Sequence, residues 1–142
     1  MIYTQKTKKA LKLCFEAHKN QCDKSGLPYV FHPFHLAEQM EDEATTVVAL
    51  LHDVVEDTDY TLQDLRDMGF GDEIIEAISA LTHDDNVAYM DYVANIKLNP
   101  IAKKVKLADL KHNSDTSRLD VVTDKDLERE AKYHKAIKFL NE

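Results

Sequence analysis

The stretch Leu50-Leu51-His52-Asp53-Val54-Val55-Glu56-Asp57 sets four groups able to bind a metal or move a proton at the end of an apolar run. Burying an imidazole beside a carboxylate costs on the order of several kcal/mol unless something pairs with them, and a divalent cation pairs well. His52 and Glu56 are four residues apart, as are Asp53 and Asp57, so a helix continuing through the stretch puts each pair on one face. The competing reading is a solvated C-terminal turn after a core helix, and two other residues weigh against it. His32 precedes Pro33, which predicts an extended backbone at the cap of a helix, with the imidazole held outward. Asp109, in Val105-Lys106-Leu107-Ala108-Asp109, falls on the Val105 side of a helix, where a lone carboxylate is costly and a ligand is explained. His32, His52, Asp53 and Asp109 supply two imidazoles and two carboxylates, a mixed set that suits one Mn²⁺, Fe²⁺ or Co²⁺ and is compatible with zinc. Four protein ligands leave positions open for water and a phosphate oxygen.

The elements that must position these residues read as helices throughout. Apolar spacing predicts a first helix over about 4–20, with Tyr3, Ala10, Leu11, Cys14 and His18 on one stripe. Ser25-Gly26 and Pro28 break the pattern. A second helix starts near Pro33, with Phe34, Ala37 and Met40 inward. A third runs from about 44 to 57 through Val47, Val48, Leu51 and Val55. Thr61 caps a short helix with Leu62 and Leu65, ended by Gly69-Phe70-Gly71, and Ile74, Ile75, Ile78 and Leu81 mark the next. Further helices fall at about 86–98, 100–113 and 124–140, the last with Leu127, Ala131, Ile137 and Leu140 inward. The expectation is one irregular all-α domain over residues 1–142, without a sheet.

Composition agrees. Three glycines and three prolines are too few for the many reversals of a β-sandwich or barrel. Gly26, Gly69 and Gly71 cannot be written as G-x-G-x-x-G or G-x-x-x-x-G-K-[ST], so a glycine-cradled phosphate site is excluded. Eighteen Lys and Arg against 26 Asp and Glu give a net charge of −8, which speaks against a nucleic-acid polymer as partner. A small anionic ligand stays open, because a metal or a few local lysines can supply positive charge. The longest strictly apolar run, Val47 to Leu51, cannot span a membrane, and Cys14 and Cys22 form no CxxC pair. The expectation is a cytoplasmic protein with reduced thiols.

The words around the ligands carry a resemblance. Ala17-His18-x-x-Gln21, Lys24-Ser25-Gly26-x-Pro28-Tyr29-x-x-His32-Pro33, the His52-Asp53-Val54-Val55-Glu56-Asp57-Thr58 stretch, and Val105-Lys106-Leu107-Ala108-Asp109-x-x-His112-Asn113 occur in that order. Over about Ala10 to Arg118 the chain resembles the HD metal-dependent phosphohydrolases, and within them the hydrolase domain of RelA/SpoT proteins. Bifunctional members continue into a synthetase domain. With Glu142 as its last residue, the chain is similar to the single-domain small alarmone hydrolases, a group that includes the metazoan SpoT homologue.

The resemblance implies Mn²⁺-dependent removal of the 3′-pyrophosphate of guanosine tetra- or pentaphosphate, giving GDP or GTP plus pyrophosphate. It implies His32, His52, Asp53 and Asp109 as metal ligands and Glu56 and Asp57 as the acidic pair of the hydrolytic step. It also implies Asn113 and Thr116 near ribose and phosphates, and Lys24 and Ser25 near the base. Lys106, within one turn of Asp109, is a further candidate for a phosphate. Two positions depart from the alarmone pattern: Asp23 and Asp115 stand where a basic residue is common. A carboxylate cannot give a base the flat cationic stacking of a guanidinium. These departures motivate an alternative substrate, a 2′-phosphorylated dinucleotide or a nucleoside monophosphate. A non-catalytic nucleotide-binding module is the other alternative. Among the remaining histidines, His18 and His134 read as packing, His112 as orienting a ligand, His35 as a close neighbour that the motif spacing passes over in favour of His32, and His83 as one histidine, too few for a second metal. Tyr89 and Tyr92 read as core.

Overall fold

Four of the longer helices start on side chains that take up amide groups with no partner inside the helix. In the computed structural model, which describes residues 1–142, Thr4 caps α1 (Gln5–His18), Asp42 caps α3 (Glu43–Leu51), Asn99 caps α8 (Pro100–Asn113) and Thr123 caps α9 (Asp124–Asn141). Between them lie α2 (Phe31–Glu38), α4 (Val54–Asp57), α5 (Leu62–Asp67), α6 (Asp72–Leu81) and α7 (Tyr89–Lys97), with one turn of 3₁₀ helix at Thr116–Arg118. There is no strand. Cys22 and Pro28 form a single bridge, and two 2.8 Å backbone bonds, Asp23 to Leu27 and Tyr29 to Gln21, close the loop before α2. The all-α expectation is met. No helix is long and apolar enough to cross a membrane.

α3 is the axis of the fold. Thr45 through Leu51 are all buried, and a helix apolar on every side must be surrounded. α1, α2, α6 and α8 pack around it, and one cluster of Leu, Ile, Val and Phe side chains fills the space between them. The C-terminal end of α3 is thereby held at a fixed place against α2 and α8.

Four local expectations need correcting. α2 starts at Phe31, so His32 and Pro33 sit inside its first turn and His32 is not at an extended cap. Proline is tolerated there because the first-turn amides have no acceptor within the helix. The helix expected over 44–57 breaks after Leu51, with Asp53 at φ −105°, ψ 1°, and restarts as α4. That sparsely populated backbone region turns Asp53 away from the axis of α3. Tyr3 and Phe34 are exposed: Tyr3 precedes the Thr4 cap, outside α1, and in α2 Leu36 and Ala37 take the inward positions. Leu127, Ala131 and His134 are also exposed, since α9 packs on α7 and α8 through Tyr133, Ala136, Ile137 and Leu140.

Candidate metal centre and adjoining cavity

His32 from α2, His52 following α3 and Asp109 from α8 meet in the interior, all buried. Their ligating atoms lie within 4.8 Å of one another. His32 Nε2 is 2.8 Å from Asp109 Oδ1, and His52 Nε2 is 3.1 Å from Asp53 Oδ2 and 3.6 Å from Asp109 Oδ1. Asp53 also belongs to a second group with Glu56 and Asp57, likewise within 4.8 Å. One helical turn after the break at Asp53 therefore carries the acidic pair up to the edge of the buried cluster.

Each candidate ligand is gripped from behind. His52 Nδ1 lies 2.7 Å from the Ala49 carbonyl, which can only accept, so the ring proton is committed there. His32 stacks on His112 with the two Nδ1 atoms 2.7 Å apart. Burial and the neighbouring His32 push His112 down to about 4, so it is neutral and can accept from His32. Asp109 accepts from Lys106 Nζ at 3.0 Å and Asn113 Nδ2 at 2.9 Å, and Asp53 accepts the hydroxyl of Tyr29. Such partners set tautomer and orientation in metal sites.

This arrangement fits a cation. With its proton spent on Ala49, His52 Nε2 is a buried atom with no hydrogen-bond partner, and its lone pair faces carboxylate oxygens. Burial disfavours charge on His52, yet Asp53 and Asp109 outweigh it and raise its affinity for a proton, which a metal ion would replace at that lone pair. The point where the three side chains meet draws positive charge. Two imidazole nitrogens and two carboxylates suit a first-row divalent ion.

Glu56 accepts from the His83 amide at 2.9 Å, and burial raises its carboxyl. Burial, with Asp53 and Glu56 close by, pushes Asp57 up to about 6. Carboxyls raised toward neutrality suit proton transfer.

Beside the cluster lies a cavity of about 320 Å³ whose wall includes Tyr29 and Asn113, the partners of Asp53 and Asp109. Lys24, Ser25, Asn113 and Thr116 line it, as the resemblance implies. Lys106 does not. Its ammonium is committed to Asp109 and lies 5.3 Å from the centre of the Tyr92 ring. The cavity also brings together residues that no motif marks: Arg118, and Asp126, Arg129 and Tyr133 of α9. The last three sit three and four residues apart, a polar stripe readable as one helix face. Asp23 and Asp115 line the cavity too, and Asp23 pairs with Arg118 at 3.3 Å.

Other expectations hold. His18 is buried, with Nδ1 2.8 Å from Gln21 Oε1 and its ring against Tyr29. Gln21 in turn donates to the Asp57 carbonyl at 3.1 Å, tying α1 to the acidic pair. His83 Nε2 lies 2.8 Å from the Val87 carbonyl, and Tyr92 is buried with its hydroxyl on the Leu81 carbonyl at 2.7 Å. His35 lies against His112 outside the cluster. His134, read from the sequence as packing, instead faces solvent beside Glu130.

A sequence model described as the HD domain matches residues 10–118. A GTP pyrophosphokinase of Streptomyces coelicolor is 39% identical over 114 residues, 71% of this chain and 13% of that protein. The bifunctional (p)ppGpp synthase/hydrolase SpoT of Escherichia coli is 32% identical over 127 residues, 79% of this chain and 18% of that protein. The chain thus spans less than a fifth of the length of these relatives. A solved structure described as a metazoan ortholog of SpoT that hydrolyzes ppGpp superposes with a TM-score of 0.80, covering 99% of this chain and 87% of that one at 24% identity. That likeness shows the shared fold.

Proposed function

This chain belongs to the HD-domain family, and from that membership we propose that it is a metal-dependent phosphohydrolase that removes the 3′-pyrophosphate of guanosine tetra- or pentaphosphate. The observation that carries the reading is the cluster of buried His32, His52 and Asp109 with Asp53, whose partners Asn113 and Tyr29 also line a cavity of nucleotide scale. Relatives named as guanosine-3′,5′-bis(diphosphate) 3′-pyrophosphohydrolases, such as that of Vibrio cholerae at 40% identity over 80 residues, support it. We read residues 1–142 as one domain of this kind, acting in the cytoplasm on a small phosphorylated nucleotide.

His32, His52, Asp53 and Asp109 would hold the ion, which we take to be Mn²⁺. When bound, it supplies Lewis acidity at a phosphoryl oxygen and acidifies a bound water. The protein's own groups do the rest. Glu56 or Asp57 takes the proton from the attacking water and returns one to the departing ribose oxygen, so water and guanosine tetraphosphate give GDP and pyrophosphate. Asn113 and Thr116 meet the ribose and phosphates, and Lys24 and Ser25 the base side of the cavity. Lys106 offsets the charge of Asp109.

A second reading, a phosphatase for another phosphorylated nucleotide, is favoured by one observation: Asp23 already occupies the guanidinium of Arg118. Incubation of the protein with Mn²⁺ and a panel of guanosine tetraphosphate, 2′-phosphorylated dinucleotides and mononucleotides separates them. Pyrophosphate release from guanosine tetraphosphate is the expected result. Orthophosphate release from a mononucleotide alone would replace it with the second reading, and no turnover would leave a binding module.

A further inference from the structure

We propose that Asp23 is a specificity-determining residue: it discharges the nucleotide cavity and weakens its hold on the phosphates that a substrate brings to it in addition to the scissile group. The proposal rests on the reading above only in taking this cavity as the nucleotide's seat.

One oxygen of Asp23 organises the loop. Oδ1 accepts from the Ser25 amide at 2.9 Å, the Ser25 hydroxyl at 2.6 Å and the Leu27 amide at 3.0 Å. The other oxygen faces across the cavity wall to Arg118 NH1 at 3.3 Å, 95 residues further along the chain. Arg118 NH2 is taken by the His112 carbonyl at 3.2 Å. Both ends of the guanidinium are therefore engaged by the protein, and the pair is mostly buried, at 29% and 16% side-chain exposure. That burial shields it less completely with water than a surface pair.

The rest of the wall repeats the pattern. Asp126 holds Arg129. Lys24 is the one lining cation without a carboxylate in ion-pair reach, and burial and Arg129 lower its ammonium below the ordinary range. Against Lys24, Arg118 and Arg129 stand Asp23, Asp115 and Asp126, so the charges of the lining cancel. A nucleotide that carries a diphosphate into this space meets a single uncommitted cation. A substrate with a second diphosphate is therefore held here less tightly than Lys24, Arg118 and Arg129 would hold it without their facing carboxylates.

The test is a binding titration of guanosine, GMP and GDP to the full chain and to Asp23→Asn, at about 0.05 M and about 0.5 M salt. Asparagine keeps the size and the Oδ1 acceptor and removes the charge. GDP is expected to bind about three- to tenfold tighter to Asp23→Asn at low salt, GMP to gain less and guanosine nothing, with the gain shrinking at high salt. Equal shifts for guanosine and GDP would make Asp23 a loop brace only, and weaker GDP binding would make it a support for Arg118; either result overturns the proposal. Arg118→Gln gives an independent reading: it is expected to cost GDP little in the wild-type background and the whole gain in the Asp23→Asn background. An equal cost in both backgrounds overturns the proposal, as does a lack of GDP binding to either protein. Because binding is read rather than turnover, a chain that behaves this way but releases no pyrophosphate from guanosine tetraphosphate refutes the hydrolase reading alone.

Discussion

The metal cluster and the cavity beside it are built on different terms. His32, His52 and Asp109 come from α2, the end of α3 and α8, and each is at most 5% exposed. Their positions follow from core packing, because those three helices meet through Leu36, Ala37, Leu50, Leu51, Val105 and Leu110, all fully buried. The cavity is walled by the loop before α2, the 3₁₀ turn and the N-terminal half of α9, where side chains pair with one another at partial exposure. A changed ligand leaves a buried charge or an orphaned nitrogen behind. A changed wall residue alters a partly exposed ion pair between side chains, of more modest worth. Reaction chemistry is thus tied to the fold, whereas substrate choice is adjustable at little structural cost.

The contrast can be broken most directly at the cluster. Asp53→Ala should abolish metal retention through dialysis and with it turnover, as measured by elemental analysis and pyrophosphate release. Glu56→Ala should keep the metal and lose on the order of 10²- to 10⁴-fold in kcat. Full activity in Glu56→Ala would remove it from the proton-transfer step. Beneath the cluster, Leu50→Ala should cost about 2–5 kcal/mol in urea unfolding, since Leu50 is fully buried in the central helix. Arg129→Ala in the cavity wall should cost less than about 1 kcal/mol in the same measurement while raising KM. A larger stability loss at Arg129 than at Leu50 would collapse the distinction.

Two smaller effects sharpen it. Burial, with Asp53 adding to it, pushes the Cys14 thiol up to about 12, whereas Cys22 is exposed at the cavity rim. A disulfide-exchange reagent should label one thiol per folded chain, at Cys22, and the second only on unfolding. Asp42 caps α3 through the Thr45 amide and hydroxyl, and those bonds lower its carboxyl below the ordinary value. A depressed folded-state pKa contributes stability above the unfolded value that is lost as pH falls through the folded one. Acid unfolding below pH ~4 should therefore be less steep in Asp42→Asn, which keeps a capping side chain without the titration. An unchanged acid limb would remove Asp42 from the origin of that loss.

The helices were readable because their signals are local. Thr61 with Asp64 and Thr123 with Asp126 form capping boxes inside four residues, and Ile74, Ile75, Ile78 and Leu81 mark a buried face by spacing alone. Local sequence does not fix the start of α2, because proline suits several positions of a first turn. The break at His52-Asp53 went unread because the apolar pattern continues through Val54 and Val55. At the break the His52 ring bonds the Ala49 carbonyl through Nδ1 and turns Nε2 toward Asp53 and Asp109, contacts that only the folded chain supplies. On α9, Leu127 and Ala131 fit an apolar stripe that the packing partners do not use.

By itself the sequence determined an all-α chain, its caps and core faces, and a candidate ligand set from residue types whose burial needs a cation. It could not say that Tyr29 holds Asp53 or that Arg118 crosses to Asp23. Each of those pairings depends on which helix faces meet, and polar side chains carry no periodic signal of their distant partners. Tertiary packing decided the lining of the cavity, because an ion pair 95 residues apart in the chain exists only once the core has brought its two ends together.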